Sequence, residues 1–281
     1  MSLFPSVTQP REKGYIIVTS DVGVAGRQSV EAANTIYSLP AQSTSSATEL
    51  YSAQFASGGV QGVQYFTELN FVNTSIQSRS LRVLLVGNNG TPVSGITNPV
   101  SLVLAKGQQY RARGETVFDL PDPAFSSTLV EGSLVISVDG PGVIGDVTFG
   151  DPRSHKFMAA LPLDGKPLST LIFSQVAQGY GGGTRPYFTG IAVYNPSPSD
   201  VAVTIDVYSD QGTKTGTSTL TLHGRARVSR TLPELVPAIT SQVRGYIRIT
   251  TSGGPVEAFE LFGDQSLNFL AAVPPRPITP S

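Results

Sequence analysis

Three stretches of this chain are copies of one another. Residues 245–274, GYIRITTSGGPVEAFELFGDQSLNFLAAVP, match residues 132–162, GSLVISVDGPGVIGDVTFGDPRSHKFMAALP, and more loosely residues 14–40, GYIIVTSDVGVAGRQSVEAANTIYSLP. Self-similarity at a fixed period is typical of tandem repeats, in which each copy is one folding unit. We therefore expect the architecture to be set by a repeated unit.

Two of these copies are preceded by a matching first half. Residues 65–75, YFTELNFVNTS, correspond to residues 187–197, YFTGIAVYNPS. The sequence thus predicts one full repeat over residues 43–163 and a second, ending in a proline-rich tail, over residues 164–281. Residues 1–42 correspond only to the C-terminal half of a repeat.

The N-terminal half repeat is expected to be incomplete by itself. Its three predicted strands cannot bury both faces of a sandwich, and an unpaired strand edge invites another strand. Three explanations remain open from the sequence: a piece of a longer tandem array, completion by a strand-donating second chain, or a flap packed on the next unit.

The last repeat shows strand signals at short, regular spacing. Residues 201–208 alternate apolar and polar side chains, which indicates one buried and one solvated face. Further strands are predicted at residues 171–177, 187–194, 217–222, 246–250, 256–262 and 267–273, and around Ala226 and Val228, with a short helical turn at 232–239. In the middle repeat the same reasoning predicts strands at 81–86 and 101–104 and a helical turn at 119–125.

These patterns indicate an all-β protein. Many short strands joined by turns rich in glycine and proline favour two tandem immunoglobulin-like antiparallel β-sandwich domains preceded by a three-strand partial repeat. A jelly roll is the alternative.

Composition excludes several classes of function. The net charge of −1 gives no attraction to nucleic acid, and no apolar run is long enough for membrane insertion. The chain has no cysteine and only two histidines, at different points of different repeats. We therefore predict no catalytic residues, no cofactor, no metal and no enzymatic activity.

Four residues recur in pairs at equivalent places and are candidate ligand or assembly contacts. Asp151 and Asp264 end the Phe-Gly-Asp sequences; they suggest either a calcium loop or an Asx-turn in which the glycine takes positive φ. Tyr65 and Tyr187 suggest either an aromatic platform for sugars or core packing.

Arginines alternate along equivalent strands of the two repeats. Arg225 and Arg227 could pair with carboxylates of a neighbouring unit or meet an acidic partner. The alternative is an ordinary solvated strand face.

The order of the motifs YFTGIAVYNPS, VAVTIDVYSDQG, GYIRITTSGGPVEAFELFGD and FLAAVP resembles the tandem immunoglobulin-like β-sandwich repeats of large bacterial secreted or cell-surface proteins. That resemblance implies an extracellular or cell-surface location and an array whose partners are adjoining repeats, further copies of itself or a surface polysaccharide. The first hypothesis is a structural or adhesive segment that assembles head-to-tail. A carbohydrate-binding accessory module of a secreted enzyme or adhesin is the alternative.

Overall fold

The computed structural model describes residues 14–32, 35–180 and 186–277. Its regular structure is almost entirely antiparallel strand, which confirms the all-β sandwich-type fold. A two-stranded hairpin, β1 (Arg27–Ala32) and β2 (Thr35–Pro40), precedes two larger bodies. Residues 1–13 with Leu3-Phe4-Pro5, and the triglycine of residues 181–183, lie outside the described residues.

The first sandwich consists of two sheets joined through one long strand. Sheet I has the order β6–β5–β8–β3 and sheet II the order β7–β4–β9–β10, and β3 pairs with both β8 and β4. Its elements are β3 (Glu49–Val60), β4 (Val63–Asn73), β5 (Arg79–Val86), β6 (Val100–Leu104), β7 (Gln109–Arg113), α1 (Gly114–Phe118), β8 (Val130–Val138), β9 (Val143–Gly150) and β10 (Met158–Pro162).

The second sandwich repeats the strand order of both sheets, but two short strands, β11 and β12, stand in the place of the single long strand β3. Sheet III has the order β15–β14–β18–β11, extended by β21, and sheet IV the order β16–β13–β19–β20; β12 pairs with β17. Its elements are β11 (Thr170–Phe173), β12 (Ala177–Gln178), β13 (Tyr187–Tyr194), β14 (Val201–Tyr208), β15 (Lys214–Leu222), β16 (Arg227–Thr231), α2 (Leu232–Leu235), β17 (Gln242–Val243), β18 (Tyr246–Ser252), β19 (Glu257–Asp264), β20 (Leu270–Val273) and β21 (Arg276–Pro277).

The alternating strand predicted at residues 201–208 is β14, with the same bounds. Its inward residues are fully buried in the core of the second sandwich: Val201, Val203, Ile205 and Val207. Burying these four side chains contributes several kcal/mol to the free energy of folding, because each contributes about 1.5–3 kcal/mol when it is fully removed from water. The period of two therefore identified a strand that stabilises the unit.

Three sequence predictions were wrong in detail. The helical turn of the first sandwich is α1, which directly follows β7 and ends at Phe118. Asp119 caps it in the left-handed conformation, so the turn does not lie at 119–125. The strand predicted at 171–177 is broken into β11 and β12, because the chain leaves sheet III after Phe173 and next pairs with β17.

The third error concerns the N-terminal segment, whose described residues, 14–32 and 35–42, form two strands instead of three. Residues 14–26 contain no strand, and the apolar side chains at 15–18 are exposed. In β18, the corresponding strand, both neighbours β11 and β14 satisfy the backbone. No described strand offers the same pairing to residues 14–20, and they lie exposed outside any sheet.

The hairpin packs on the outer face of sheet II. Tyr37 of β2 is buried against Phe66, Met158 and Ala160. Around this contact the face is polar: the Asn70 side-chain amide donates to Asp146 at 2.8 Å. Burial raises the pKa of Asp146 to about 6, and that hydrogen bond opposes the rise.

The outer face of sheet IV is apolar and packs on the first sandwich. Four of its residues belong to the same buried cluster as the core of the first sandwich: Ala192, Tyr194, Phe259 and Leu270. The hydrophobic core of the first sandwich therefore continues into the junction between the two bodies. Such a junction resists hinge motion, since bending would expose apolar surface to water.

Candidate functional site

Arg227, at the start of β16, lies at the junction between the two sandwiches with only 5% of its surface exposed. Its Nε donates to the carbonyl oxygen of Ala53 at 2.6 Å, and an Nη donates to Oε1 of Gln54 at 2.7 Å. The other Nη donates to Oδ1 of Asn88 at 2.8 Å. One side chain from the second sandwich thus makes close hydrogen bonds, of 2.6–2.8 Å, to three residues of the first.

A bulge in β3 makes this contact available. The register between β3 and β8 shifts between Ser52 and Phe55, so Ala53 and Gln54 have no ladder partner there. A bulge leaves backbone groups unpaired. The guanidinium of Arg227 donates to the freed carbonyl oxygen of Ala53, which satisfies a buried acceptor that would be costly to leave unpaired.

Burial lowers the pKa of Arg227 to about 10, and the nearby Glu131 carboxylate opposes that shift. The Arg227 Nη lies 3.5 Å from Oε2 of Glu131. Arg227 therefore keeps its charge at neutral pH and pairs with a carboxylate of the neighbouring unit. Arg225 differs: it is exposed, in the left-handed conformation at φ 60°, and its backbone N–H donates to Ser197.

Tyr65 and Tyr187 are half-buried and occupy equivalent places. The ring of Tyr65 meets that of Phe157 edge-on at 5.9 Å, and the ring of Tyr187 meets that of Phe269 edge-on at 6.4 Å. Burial raises the pKa of Tyr65. Both tyrosines pack as the core alternative predicted and do not form an exposed aromatic platform.

Asp151 and Asp264 cap the loops that follow β9 and β19. Asp151 accepts hydrogen bonds from the backbone N–H groups of Arg153, Ser154 and Lys156. Those bonds and one from the Ser154 hydroxyl outweigh desolvation and lower the pKa of Asp151. Asp264 accepts from the backbone and side-chain amide of Asn268, at 2.7 and 2.6 Å.

The glycine of each Phe-Gly-Asp sequence has a different role from the one expected. Neither Gly150 nor Gly263 has a positive φ, so that prediction was wrong. A Cβ on Gly150 would lie 2.2 Å from the carbonyl oxygen of Phe157, and one on Gly263 would lie 2.5 Å from that of Phe269. Glycine is needed here because the returning strand passes too close for any side chain.

Histidine chemistry offers no site in the described residues. His223 lies at an exposed turn with its Nδ1 3.0 Å from Oδ2 of Asp200. His155 lies beside the ring of Phe66, far along the chain in the other sandwich. Across residues 14–32, 35–180 and 186–277, no three histidine or acidic side chains come together as metal ligands.

A cleft of about 380 Å³ lies where the first sandwich, the second sandwich and the linker after β2 meet. Its charged lining residues are Asp164, Glu257 and Arg276. Glu257 is 7% exposed, and burial together with the charge of Asp164 raises its pKa well above the ordinary range. Burial also raises the pKa of Asp164.

A second buried acid, Glu260, points into the core of the second sandwich. It is fully buried opposite Ile191, and neither carboxyl oxygen has a hydrogen-bond partner. Burial raises the pKa of Glu260 to about 9, so the group is protonated at neutral pH.

Sequence reasoning missed both acids, although a signal was present. Aligning the Phe-Gly-Asp sequences places Glu257 at Ile144 and Glu260 at Val147. A carboxyl group at a position where the sister repeat has an aliphatic side chain is a departure that the alignment could have revealed.

Comparisons with protein-family models, with curated proteins and with solved structures give no significant match. Within the described parts of the chain, no helix has the length and apolar character needed to cross a membrane.

Proposed function

We propose that this chain is a non-enzymatic structural segment of a bacterial extracellular or cell-surface protein, built from sandwiches stacked into a rigid array. The observation that carries this proposal is the continuous core at the junction, where Tyr194 and Phe259 of sheet IV pack into the cluster of the first sandwich. Flexibly linked modules that bind independently have no need of such a junction. A stalk or fibre that transmits mechanical tension requires such a junction.

The contacts of Arg227 support the same proposal. Its hydrogen bonds to Ala53, Gln54 and Asn88 fix the rotation of one sandwich about the other, because the planar guanidinium fork has a defined direction. Apolar packing alone is not directional. The junction thus combines apolar packing between the two sandwiches with hydrogen bonds that fix their relative rotation.

The half-buried positions of Tyr65 and Tyr187 weigh against the alternative of a carbohydrate-binding module. A sugar platform needs an accessible aromatic face. Both rings are instead occupied by phenylalanine neighbours.

Small-angle scattering together with residual dipolar couplings tests rigidity. We expect one fixed relation between the sandwiches in the unaltered protein, and a broadened distribution in Arg227→Ala. The exposed Arg225→Ala is the matched control. Independent tumbling of two bodies in the unaltered protein would rule out the stacked array.

Head-to-tail assembly forms the second part of the proposal and has its own test. The apolar run Tyr15–Val18, with exposed fractions of 40–74%, forms no strand pairing with the described residues and is accessible to a second chain. Sedimentation velocity across a concentration series should show open-ended growth, reduced in Ile16→Lys. A monomer at every concentration would exclude assembly through this segment while leaving the stacked array untouched.

A further inference from the structure

The cleft at the junction has the features of a ligand site. Its volume of about 380 Å³ lies in the range of about 300–1,000 Å³ that is typical of small-molecule pockets. Aliphatic and proline side chains form much of its wall: Pro40, Leu50, Ile144, Leu161, Leu163 and Pro274. Most of the polar lining consists of serine hydroxyls and the two carboxyl groups.

Glu257 is the decisive group. Its side chain is more than nine-tenths buried and lines the cleft, and none of the described residues donates a hydrogen bond to it. The Glu257 oxygens are not among the fully buried unpaired atoms, as those of Glu260 are, so they open onto the cleft, where a ligand can supply the missing donor. Glu257 occurs at a position where the sister residue is Ile144, so the fold itself does not require it.

A second carboxyl shares the cleft. Asp164 follows β10 and bridges to Tyr51 of β3, and its Oδ1 already accepts the Lys166 backbone N–H at 2.8 Å. The two carboxyl groups repel each other when both are ionised. A positive charge between them would relieve both the repulsion and the missing hydrogen bonds.

We propose that the cleft binds a small organic cation, with its ammonium group between Glu257 and Asp164 and its carbon chain against the aliphatic wall. An ammonium group offers three donors, which two carboxylates can accept. A bare metal ion fits less well: the described residues bring no third acidic or histidine ligand to this place, and the space far exceeds that of one ion.

Several other titratable or charged residues lie around Glu257 and contribute to the electrostatic environment of the cleft. Tyr194 lies opposite Glu257 in register, and its ring is 6.3 Å from that of Tyr51. The charges of Glu49 and Arg225 influence the pKa of both tyrosines, Glu49 raising it and Arg225 lowering it. Arg276 is exposed at the edge of the cleft. Because Arg276 is solvated, its charge is largely screened and does not cancel the buried pair.

Ligand-observed NMR with n-butylammonium as the probe and n-butanol as its uncharged analogue tests the proposal. We expect binding of the ammonium only, weakened at least tenfold in Glu257→Gln and in Asp164→Asn, since each loses a charge-assisted hydrogen bond. Arg276→Ala should change binding by less than about twofold, because solvent screens the charge of Arg276. Glu260→Gln, which alters a buried acid outside the cleft, is the matched control and should leave binding unchanged.

The pH dependence provides a readout that a structural role would not move. Binding of the ammonium requires ionised Glu257, and burial raises the pKa of that carboxyl, so affinity should rise with pH by up to about tenfold per unit until Glu257 is fully ionised. The part of this dependence that belongs to Glu257 should vanish in Glu257→Gln. Equal binding of butanol, unchanged affinity in Glu257→Gln, or calcium displacing the ammonium at micromolar concentration would each overturn the proposal.

Discussion

Glu260 occupies in the second sandwich the position that Val147 occupies in the first. Val147 lies opposite Leu69 in β4, and Glu260 lies opposite Ile191 in β13, the corresponding residue. Both side chains are completely buried. The two cores therefore place an isopropyl group and a carboxyl group at the same point of the fold, which makes this pair of positions suitable for measuring the cost of a buried acid.

We expect Glu260→Val to stabilise the protein by about 3 kcal/mol at pH 7, because in the unaltered chain unfolding releases a proton from a group whose folded pKa is about 9. That pKa is raised, so the unaltered protein is most stable below about pH 4.5 with respect to this group, and it loses stability as the pH rises toward about 9. Urea denaturation across this window measures the effect.

The reciprocal change is the matched control for that experiment. Val147→Glu should destabilise the first sandwich by a similar amount and introduce the same loss of stability with rising pH. An unfolding free energy of Glu260→Val that still declines with pH in parallel with the unaltered protein would contradict this assignment.

Arg227→Ala should lower the unfolding free energy by about 2 kcal/mol, since it leaves the Ala53 carbonyl and the Gln54 side chain buried without a donor. Arg225 lies two residues before Arg227 and is exposed, so Arg225→Ala should change the unfolding free energy by less than about 0.5 kcal/mol. Equilibrium denaturation with probes in both sandwiches is the measurement. Equal effects of the two substitutions would show that the junction does not depend on Arg227.

Gly150→Ala and Gly263→Ala should each destabilise their own sandwich by about 2–3 kcal/mol, because the new methyl group would collide with a backbone carbonyl. Gly190→Ala is the control: its Cβ would meet nothing nearer than 3.9 Å. The unfolding free energy of Gly190→Ala should lie within about 1 kcal/mol of that of the unaltered protein. Differential scanning calorimetry distinguishes the two outcomes, and a harmless Gly150→Ala would refute the close-approach explanation.

Asp206 should govern part of the acid sensitivity of sheet III. It is 4% exposed and accepts from Lys214 and Arg248 at 2.8 Å each and from Thr217 at 2.7 Å. These bonds outweigh desolvation and lower its pKa to about 2. The stability they provide is therefore present above about pH 4 and is lost as the pH falls toward about 2.

The expected loss is about 1 kcal/mol, since Lys214 and Arg248 are each more than a third exposed and solvent screens them. Thermal denaturation of Asp206→Asn between about pH 5 and pH 2 should show a flatter profile than the unaltered protein. Identical acid profiles would show that Asp206 is not the group responsible.

Local patterns predicted the strands well and the junction poorly. The alternation at residues 201–208 gave β14 without error, because that strand has one buried face and both of its neighbours within its own unit. The strand expected after Gly14 failed for the opposite reason: its apolar pattern matches β18, yet no described neighbour pairs with it. A pattern records the preference of a strand and not the presence of its partner.

The candidate site was hidden because its residues come from parts of the chain that no motif connects. Arg227 looked like one of several alternating strand arginines, and only the bulge at Ala53 distinguishes it. Glu257 and Asp164 belong to different repeats and meet through the stacking of the sandwiches. Stacking geometry depends on shape over whole faces, which single positions in a sequence do not encode.

The outer faces of sheets II and IV differ in their chemistry, and this difference fixes the order of the two units along the chain. Asn70 and Asp146 form a hydrogen-bonded pair on one face, and their counterparts Ala192 and Phe259 lie within the junction on the other. The two units consequently cannot be transposed, since Asp146 in place of Phe259 would place a carboxyl group where hydrocarbon is required. Any recombinant made by shuffling the units therefore has to preserve their order.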